Sequence, residues 1–224
     1  MRVNLLPDGG NYCHLLKKKK MKRQTAPISL ILAMGLFTLL LVSCKKDTEI
    51  TTTTPLTDSD KNALLFMLEE EKLARDTYTY LWEVWQINPF TNIKSSEQSH
   101  MDAIAQVLTS YGIQYTILPA GQFADSLLLN FYNQFVTSGS INSSNALQIG
   151  ATIEDLDISD LEEYTAQSTN ETVINVFNSL ECGSRNHLRS FVSSIVSAGG
   201  SYTPQFISQD YYGIIISSSN EKCK

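Results

Sequence analysis

The sequence contains few cysteines and histidines, and it lacks the alternating pattern of polar and apolar residues that is typical of a β-strand. Its 224 residues include four cysteines and three histidines, and only His100 and His187 follow Cys44. A half-buried β-strand alternates polar and apolar residues with a period of two. Before the C-terminal tail, no stretch long enough to form a strand shows this alternation. The sequence therefore predicts an all-α protein, and any imidazole chemistry depends on these two histidines.

Basic residues are also scarce after position 43. The whole chain has a formal charge of −6, and removing residues 1–43 takes away seven basic residues and one acidic residue, which leaves −12. A surface with such an excess of acid repels a phosphate backbone. The composition therefore argues against a nucleic-acid partner.

The one long apolar run lies near the N-terminus and predicts a secretory signal. A basic cluster at 17–23 precedes the apolar residues 28–42, and Ser43 comes directly before Cys44. This arrangement is typical of a bacterial lipoprotein, in which the cysteine is diacylated and becomes the new N-terminus. The alternative is a transmembrane helix, but this run is shorter than the ~20 residues that a span needs.

Residues 1–43 are therefore interpreted as an upstream extension plus a lipoprotein signal peptide, with Met21 as a better start than Met1. Cys44 is the predicted lipidation site. Lys45 follows it in place of an aspartate, which favours the outer membrane under the Gram-negative sorting rule. The expected location is the cell envelope, with the chain anchored to the membrane by lipid.

The rest of the chain predicts a tether over 44–58, a helical domain over 59–216 and a tail over 217–224. The tether is polar and contains four consecutive threonines. Apolar residues recur at the helical period in four segments, which predict four helices over 59–85, 95–111, 143–167 and 171–198.

Residues at the ends of these helices predict their caps. Ser95 or Ser96 is the expected N-cap of the second helix, Gly112 ends it, and Asn170 caps the fourth helix.

A long connection, 113–142, separates the second helix from the third and includes a short amphipathic stretch over 126–136. A connection of this length lets the chain cross the domain, and one long crossover is typical of the ferritin-like topology. We therefore predict a ferritin-like four-helix bundle with a crossover between helices 2 and 3. Residues 202–216 are apolar enough to dock on it, as a short helix or an edge segment.

Six potential metal ligands lie on the apolar faces of these helices, and no lysine or arginine shares those faces. Buried carboxylates are costly unless they are paired or bound to a metal. Oxygen and imidazole donors suit iron, manganese or zinc. The predicted ligands are Glu71, Glu97, His100, Glu154, Asp157 and His187.

Each ligand also has an ordinary structural interpretation. Glu71 follows Glu69 and Glu70, and a run of glutamates is usually a solvated helix face. A Glu-x-x-His pair such as Glu97 and His100 arises by chance, and a lone inward histidine is more often a hydrogen-bonded core residue. What favours a metal site is the joint placement of these residues on four helices in the right order.

Three further residues have two interpretations each. Arg75 lies one position off the apolar face, as a partner of a ligand carboxylate or as a surface ion pair. Cys182 and Cys223 can form a disulfide in an oxidising compartment. Because Cys182 falls within a helix and Cys223 in a tail that can fray, we expect instead a free, buried Cys182.

Four motifs in order make the chain resemble a known family over roughly residues 60–215. The motifs are Glu69-Glu-Glu-Lys-Leu-Ala-Arg-Asp76, Ser96-Glu-Gln-Ser-His-Met-Asp102, Glu154-Asp-Leu-Asp-Ile-Ser-Asp-Leu161 and Gly183-Ser-Arg-Asn-His-Leu-Arg-Ser-Phe191. They are similar to motifs of the family called domain of unknown function 2202, in the ferritin-like superfamily. The pattern of Glu71 followed by Glu97-x-x-His100 resembles the first half of the metal site in rubrerythrin-like members.

The resemblance implies metal binding by five of the six candidates, all except Asp157. It also has two departures from the rubrerythrin pattern. Ser184 stands where a glutamate is expected, so either Asp157 replaces that carboxylate or the second metal binds weakly or not at all. The paired Cys-x-x-Cys motifs of the rubrerythrin iron–sulfur segment are absent as well, so no electron donor is visible.

Three functions are consistent with these observations. The first is a lipid-anchored ferritin-like protein that binds one or two transition metals, expected to be iron, and reduces oxygen or peroxide. The second is a non-catalytic envelope lipoprotein that captures or buffers iron or zinc. The third is a structural or interaction bundle without a metal.

Overall fold

The computed structural model describes residues 54–223, and these residues form helices without any strand. The all-α prediction is therefore confirmed. The predicted signal sequence and Cys44 lie outside the described residues, as does most of the tether. In chain order the helices are α1 (Asp58–Trp85), α2 (Phe90–Ser110), α3 (Ser126–Gly139), α4 (Ser143–Gln167), α5 (Glu171–Ser197) and α6 (Gln209–Ser217). None of these six combines the length and apolarity required to cross a membrane.

Local sequence signals explain where most of these helices begin and end. Thr57 caps α1, because its hydroxyl accepts from the Asp60 amide at 3.1 Å and the Asp60 carboxylate accepts from the Thr57 amide at 3.0 Å. Asn142 and Asn170 cap α4 and α5 through side-chain oxygens. Gly112 follows α2 with a φ of 68°, a conformation that carries no steric penalty for glycine. The predicted roles of Asn170 and Gly112 are thus confirmed.

The second helix begins five residues earlier than predicted, so neither Ser95 nor Ser96 is its N-cap. Its first residue, Phe90, is fully buried. The ring centroid of Phe90 lies 5.7 Å from that of Tyr78 on α1 and 5.3 Å from that of Phe191 on α5. This packing stabilises a first helical turn that no local capping residue indicates.

Two helical pairs form the interior of the domain. α1 packs along α2, α4 packs along α5, and the pairs join through contacts of α1 with α4 and of α2 with α5. The predicted amphipathic stretch of the connection is a helix, α3, which contacts α1 and α4, while α6 rests on α5. A buried apolar cluster includes residues from all four interior helices, among them Leu64, Met67, Met101, Ile104, Leu161 and Phe177.

A buried lysine holds the connection between α2 and α3 against α1. The Lys72 ammonium lies 2.6 Å from Asp76 Oδ2 and donates to the carbonyl oxygens of Pro119 and Gln122 at 3.1 and 2.9 Å. The same Asp76 oxygen accepts from the Gly121 amide at 3.0 Å. Because backbone groups of the connection complete the hydrogen bonding of this buried pair, the pair fixes the path of the connection.

The C-terminal segment is held on α5, and the expectation of a free Cys182 is wrong. Cys182 is buried as expected but forms a disulfide with Cys223, with the two Cα atoms 5.6 Å apart. Arg185 and Arg189 donate to the Glu221 carboxylate at 2.6–2.9 Å. The hydrogen bonds from Arg185 lower the pKa of Glu221 to about 2. These ion pairs bring the cysteines together across a separation of 41 residues.

Replacing Cys223 with serine is expected to lower the free energy of unfolding by about 2–4 kcal/mol, because the disulfide restricts the unfolded chain over a long loop. Urea denaturation followed by circular dichroism without reductant measures this loss. Dithiothreitol should destabilise the unmodified protein and leave the Cys223→Ser variant unchanged. Equal midpoints for all samples would contradict a stabilising cross-link.

Candidate metal centre

Three carboxylates and two histidines from four helices meet in the interior. α1 contributes Glu71, α2 contributes Glu97 and His100, α4 contributes Glu154, and α5 contributes His187. The carboxylate residues are 1–2% exposed, whereas both histidine side chains are 12% exposed. Each residue shares a face with the apolar residues of its helix, so the packing that buries those faces also assembles the polar group.

The first half of the centre joins α1 and α2. His100 Nδ1 lies 2.8 Å from Glu97 Oε2 and 3.2 Å from Glu71 Oε2. Glu97 and His100 are three positions apart, so their side chains leave the same side of α2. One ligand atom from each of the three residues lies within 4.8 Å of the others, which is compact enough for all three to contact one cation.

The second half joins α2, α4 and α5. His187 Nδ1 lies 2.9 Å from Glu97 Oε1 and 3.5 Å from Glu154 Oε2, and these three residues also fall within the 4.8 Å limit. Glu97 is therefore common to both halves, with one oxygen towards each imidazole. The rings of His100 and His187 lie 5.4 Å apart and are nearly parallel. A carboxylate in this position is suited to bridge two metal ions.

His100 Nδ1 and Glu71 Oε2 are within hydrogen-bonding distance, but other atoms of the centre converge without a hydrogen-bond partner. Glu97 Oε1 and His187 Nδ1 are 2.9 Å apart, yet neither makes a hydrogen bond, and Glu71 Oε1 is also buried without a partner. Ligand atoms about 2.0–2.2 Å from one metal ion lie roughly 3 Å from each other, close to the 2.8–3.5 Å separations between each histidine Nδ1 and the carboxylate oxygens around it. The donors therefore fit a cation, and their chemistry suits iron, manganese or zinc.

Burial and mutual charge control protonation at the centre. Burial raises the pKa of Glu71 to about 7, and burial with the charge of Glu97 raises that of Glu154 to about 7. For Glu97 itself, burial is outweighed by His187 and His100, which hold its pKa well below its usual range. Burial lowers the pKa of His187, but Glu97 and Glu154 outweigh it and raise that pKa to about 10. The carboxylates raise the pKa of His100 as well, so a metal ion must displace protons from both imidazoles.

Two residues that are not candidate ligands shape the centre. The Tyr78 hydroxyl lies 2.6 Å from Glu154 Oε1 and orients that carboxylate. Gly183 packs against His100, and a Cβ atom at position 183 would lie 2.6 Å from His100 Nε2. Neither residue was identified from the sequence as part of the site.

Replacing Gly183 with alanine is expected to weaken metal binding about 10–100-fold, the effect typical of disturbing the groups that orient a ligand. The added methyl group displaces the His100 ring from Glu97. Competition against a chromophoric chelator with Zn²⁺ as the probe measures the affinity. Gly213→Ala on α6, where no atom lies within 4 Å of the new Cβ, is the matched control. Equal affinities for the two variants would contradict the expected displacement.

Asp157, the sixth predicted ligand, is not a member of either half. It is buried one turn after Glu154, where its Oδ2 accepts a hydrogen bond from the Ser184 hydroxyl and its Oδ1 has no partner. Ser184, three positions before His187, is small enough to admit this aspartate. The two positions that sequence comparison with the rubrerythrin pattern connected are thus in contact, and a ligand role for Asp157 remains a prediction.

Arg75 is an ion-pair residue rather than a partner of a ligand carboxylate. Its Nε and Nη2 atoms donate to Asp76 Oδ1 at 3.0 and 2.7 Å, and its Nη1 donates to Gln98 at 2.7 Å. The ion-pair interpretation is therefore the correct one of the two, although the acidic partner is buried and not at the surface.

Glu70 and Asp160 are among the buried acids that the sequence analysis did not identify. Glu70, grouped with Glu69 as a solvated face, is 1% exposed, and Asp160 is 6% exposed. Burial raises the pKa of Glu70 well above its usual range, and the negative charge of Asp160 raises it further. A signal was available, because Glu154, Asp157 and Asp160 recur at intervals of three and so share one side of α4.

A family model, a sequence relative and a crystal structure all match the helical part of this chain. The family described as "Uncharacterized protein domain (DUF2202)" matches residues 60–219. The chain is 43% identical over 170 residues to the uncharacterized protein MJ0754 of Methanocaldococcus jannaschii, which covers 75% of this chain and 92% of that relative. It is similar, with a TM-score of 0.74 and 43% identity, to the crystal structure of hypothetical protein MJ0754 from Methanococcus jannaschii DSM 2661, covering 75% of this chain and 97% of that one. Since the family match extends over more than half of its length, the chain belongs to the DUF2202 family.

Proposed function

We propose that this protein binds two transition-metal ions, expected to be iron, at a centre bridged by Glu97. Glu71 and His100 would complete one site, and Glu154 and His187 the other. The observation that carries the proposal is the position of Glu97, whose two oxygens lie 2.8 and 2.9 Å from the two imidazole Nδ1 atoms. Manganese or zinc also suits these donors.

The proposal includes a ferritin-like four-helix bundle made of α1, α2, α4 and α5, with the segment that carries α3 as its long crossover. Two features support this arrangement. The helices pack as two joined pairs, and inward carboxylates with a Glu-x-x-His motif are the way such bundles hold paired metals.

Attachment to the cell envelope through a lipidated Cys44 is part of the same proposal. Its support is the basic cluster and apolar run before Cys44. Mass spectrometry of the chain extracted from membranes tests it, because diacylation adds a large mass that Cys44→Ser should remove. An unmodified Cys44 preceded by residues 1–43 would overturn the anchor without affecting the metal centre.

The reaction that we propose is the reduction of peroxide or oxygen. Bound iron would supply the electrons and the site at which the oxidant binds. Glu97 sets the spacing of the two halves. The Tyr78 hydroxyl orients Glu154 by donating a hydrogen bond to its Oε1, with 2.6 Å between the two oxygen atoms. The partly exposed edges of His100 and His187 mark the side from which a small oxidant can approach.

Anaerobic loading of the full chain in detergent with ferrous iron tests binding and reaction separately. Elemental analysis should give two iron atoms per chain, and addition of peroxide should consume the oxidant at a rate that falls with the Glu97→Gln variant. Full iron occupancy without peroxide or oxygen consumption would overturn the reaction. Failure to retain iron, manganese or zinc at all would overturn the centre.

A second candidate is a metal-binding lipoprotein that stores or buffers metal without turnover. The observation that favours it is the hydrogen bond from Ser184 to Asp157, which leaves the centre one carboxylate poorer than the rubrerythrin pattern. Tight, reversible binding of iron or zinc without oxidant consumption would identify this function.

Metal binding is expected to release protons and to weaken as the pH falls. The raised pKa values of His100 and His187 favour the protonated imidazoles at neutral pH when no cation is bound, and Glu71 and Glu154 take up protons below their pKa values of about 7. Since metal ions bind only the deprotonated ligands, about two protons should leave on binding at roughly pH 8, and affinity should fall towards roughly pH 6. Calorimetric titration of Zn²⁺ in buffers of different ionisation enthalpy measures the proton release, and a pH-independent affinity would contradict the expectation.

A further inference from the structure

The disulfide between Cys182 and Cys223 borders an open groove at the protein surface. Cys182 is 8% exposed on α5, whereas Cys223 is exposed. The groove has a volume of about 370 Å³, and both cysteines line it. Its other lining residues are polar, and they are Asn175, Asn178, Ser179 and Lys222. The sulfur of Cys223 is therefore open to attack by a small thiol, which is a condition for thiol–disulfide exchange.

Contacts other than the disulfide hold Cys223 beside Cys182. Arg185 donates to the two carboxylate oxygens of Glu221 at 2.9 and 2.6 Å. Asn186 donates to the Glu221 carbonyl oxygen at 3.1 Å and accepts from the Glu221 amide at 2.9 Å. These contacts do not depend on the sulfur–sulfur bond, so they keep the two thiols adjacent after reduction. The bond can then re-form, as a reversible dithiol/disulfide couple requires.

The same part of α5 packs against the proposed centre. Gly183 follows Cys182 directly in the chain, and a Cβ atom at position 183 would lie 2.6 Å from His100 Nε2. The disulfide is thus no further from this imidazole than the diameter of one helix, about 10–12 Å. Asn186, which holds the C-terminal segment, is likewise followed directly by His187. The cysteine pair and the two imidazoles therefore belong to one small region of the fold.

The proposed reaction needs a source of electrons for repeated turnover. Reduction of one hydrogen peroxide to water consumes two electrons and two protons, and the chain lacks the paired Cys-x-x-Cys motifs that hold an iron–sulfur centre. Cys182 and Cys223 are the only cysteines that follow Cys44 in the sequence. Oxidation of two thiols to a disulfide releases two electrons and two protons, which is the number that one peroxide consumes.

We propose that Cys182 and Cys223 form a redox-active couple that takes electrons from a dithiol docked in the groove and supplies them to the oxidant at the metal centre. The inference rests on the proposed reduction of peroxide. A thiolate of the dithiol attacks Cys223 Sγ and the sulfur–sulfur bond breaks, so that Cys182 leaves as a thiolate and takes up a proton. The second thiol of the reductant then attacks the reductant's own sulfur in the mixed disulfide, which releases Cys223 and the oxidised reductant.

Reduction of peroxide returns the couple to its starting state. The two thiols lose two electrons and two protons and re-form the disulfide, while one hydrogen peroxide becomes two molecules of water. One dithiol is therefore oxidised for each peroxide that is reduced. The amides of Asn175 and Asn178 and the ammonium of Lys222 offer hydrogen-bond donors in the groove, so the reductant should be a polar dithiol.

The first test uses the metal-free full chain in detergent, with dithiothreitol as the probe. Alkylation and peptide mapping should show Cys182 and Cys223 as free thiols while circular dichroism shows a folded chain, and both thiols should be lost again after the reductant is replaced by its oxidised form. Asn178→Trp should slow the reduction by filling the groove, whereas Asn133→Trp, the same change at an exposed position of α3, should not. A disulfide that resists dithiothreitol until urea unfolds the chain would overturn the couple, and equal rates for the two variants would overturn docking in the groove.

A second arm tests the supply of electrons separately from the proposed reaction. The reduced chain, freed of dithiothreitol, is loaded anaerobically with Fe²⁺ or with Zn²⁺, which has no redox chemistry, and receives one equivalent of peroxide. Both thiols should be lost with iron and kept with zinc. Equal loss with the two metals, or peroxide consumption with iron while the thiols remain, would overturn the supply of electrons and leave the proposed reaction standing. No peroxide consumption at full iron occupancy would overturn the proposed reaction, together with the supply of electrons, and leave the exchange with dithiothreitol to support the couple.

Discussion

Replacing Glu97 with glutamine is expected to abolish the binding of both metal ions at the proposed centre. Each of its oxygens lies within 2.9 Å of a histidine Nδ1, and a glutamine offers a single oxygen acceptor and an NH₂ group that cannot bind a cation. Disturbing the groups that only orient ligands costs about 10–100-fold in affinity, so losing the shared ligand should exceed about 100-fold at each site. Iron stoichiometry and Zn²⁺ competition measure the loss.

The matched control is Glu163→Gln, which makes the same chemical change on the exposed face of α4 and should leave affinity unchanged. Glu97→Asp is a second comparison, because it keeps the charge but shortens the reach to the two histidines. Retention of two tightly bound metal ions by Glu97→Gln would rule out the bridging role. Loss of one ion alone would show that Glu97 serves a single site.

Replacing Lys72 with methionine is expected to lower the free energy of unfolding by about 3–5 kcal/mol, the cost of breaking a buried ion pair by removing one partner. The change leaves Asp76 with Arg75 as its remaining cation and removes the donor of the Pro119 and Gln122 carbonyl oxygens. Methionine can keep apolar contact with Phe123, whose ring lies 4.1 Å from the lysine nitrogen. The loss is therefore electrostatic and not a cavity effect.

Urea denaturation of the metal-free protein measures this loss. Lys61→Met is the matched control, because Lys61 is exposed on the same helix and its replacement should change stability by less than about 0.5 kcal/mol. Cleavage by a protease within the connection between α2 and α3 should also become faster in Lys72→Met, since the connection loses its attachment to α1. Similar stability of the two variants would show that the buried pair contributes little.

Helix positions follow closely from local residues. Asn170 starts α5 and Gly112 ends α2 because a side-chain oxygen and a left-handed glycine each satisfy exposed backbone groups at a helix end. The start of α2 could not be read in this way. Phe90 begins that helix because its ring packs on Tyr78 and Phe191, and those residues are distant in sequence.

The residues of the candidate site were also predictable from the sequence only in part. Helical periodicity placed Glu71, Glu97, His100, Glu154 and His187 on inward faces, and the structure brings these five together. Periodicity could not distinguish Glu70 from its neighbour Glu69, since adjacent residues of a helix lie about 100° apart and either one can face the interior. The docking of α1 on α4 decides that Glu70 is buried, whereas Glu69 caps the backbone amides of Ala124 and Asp125.

The disulfide between Cys182 and Cys223 could not be predicted from local sequence either. The sequence supplied two cysteines and an expectation that the tail would fray, but Arg185 and Arg189 bind Glu221 and hold the tail beside Cys182. These contacts join residues 32 to 41 positions apart and leave no periodic signal in the sequence.

By itself, the sequence determined the four main helical segments and the helix faces that carry Glu71, Glu97, His100, Glu154 and His187, because backbone capping and the 3.6-residue period are local properties. The tertiary structure alone decided that Glu97 stands between two histidines and that Glu70 has no basic partner. It did so because the distances between side chains on different helices depend on how those helices pack, and packing is set by the whole buried surface rather than by any one segment.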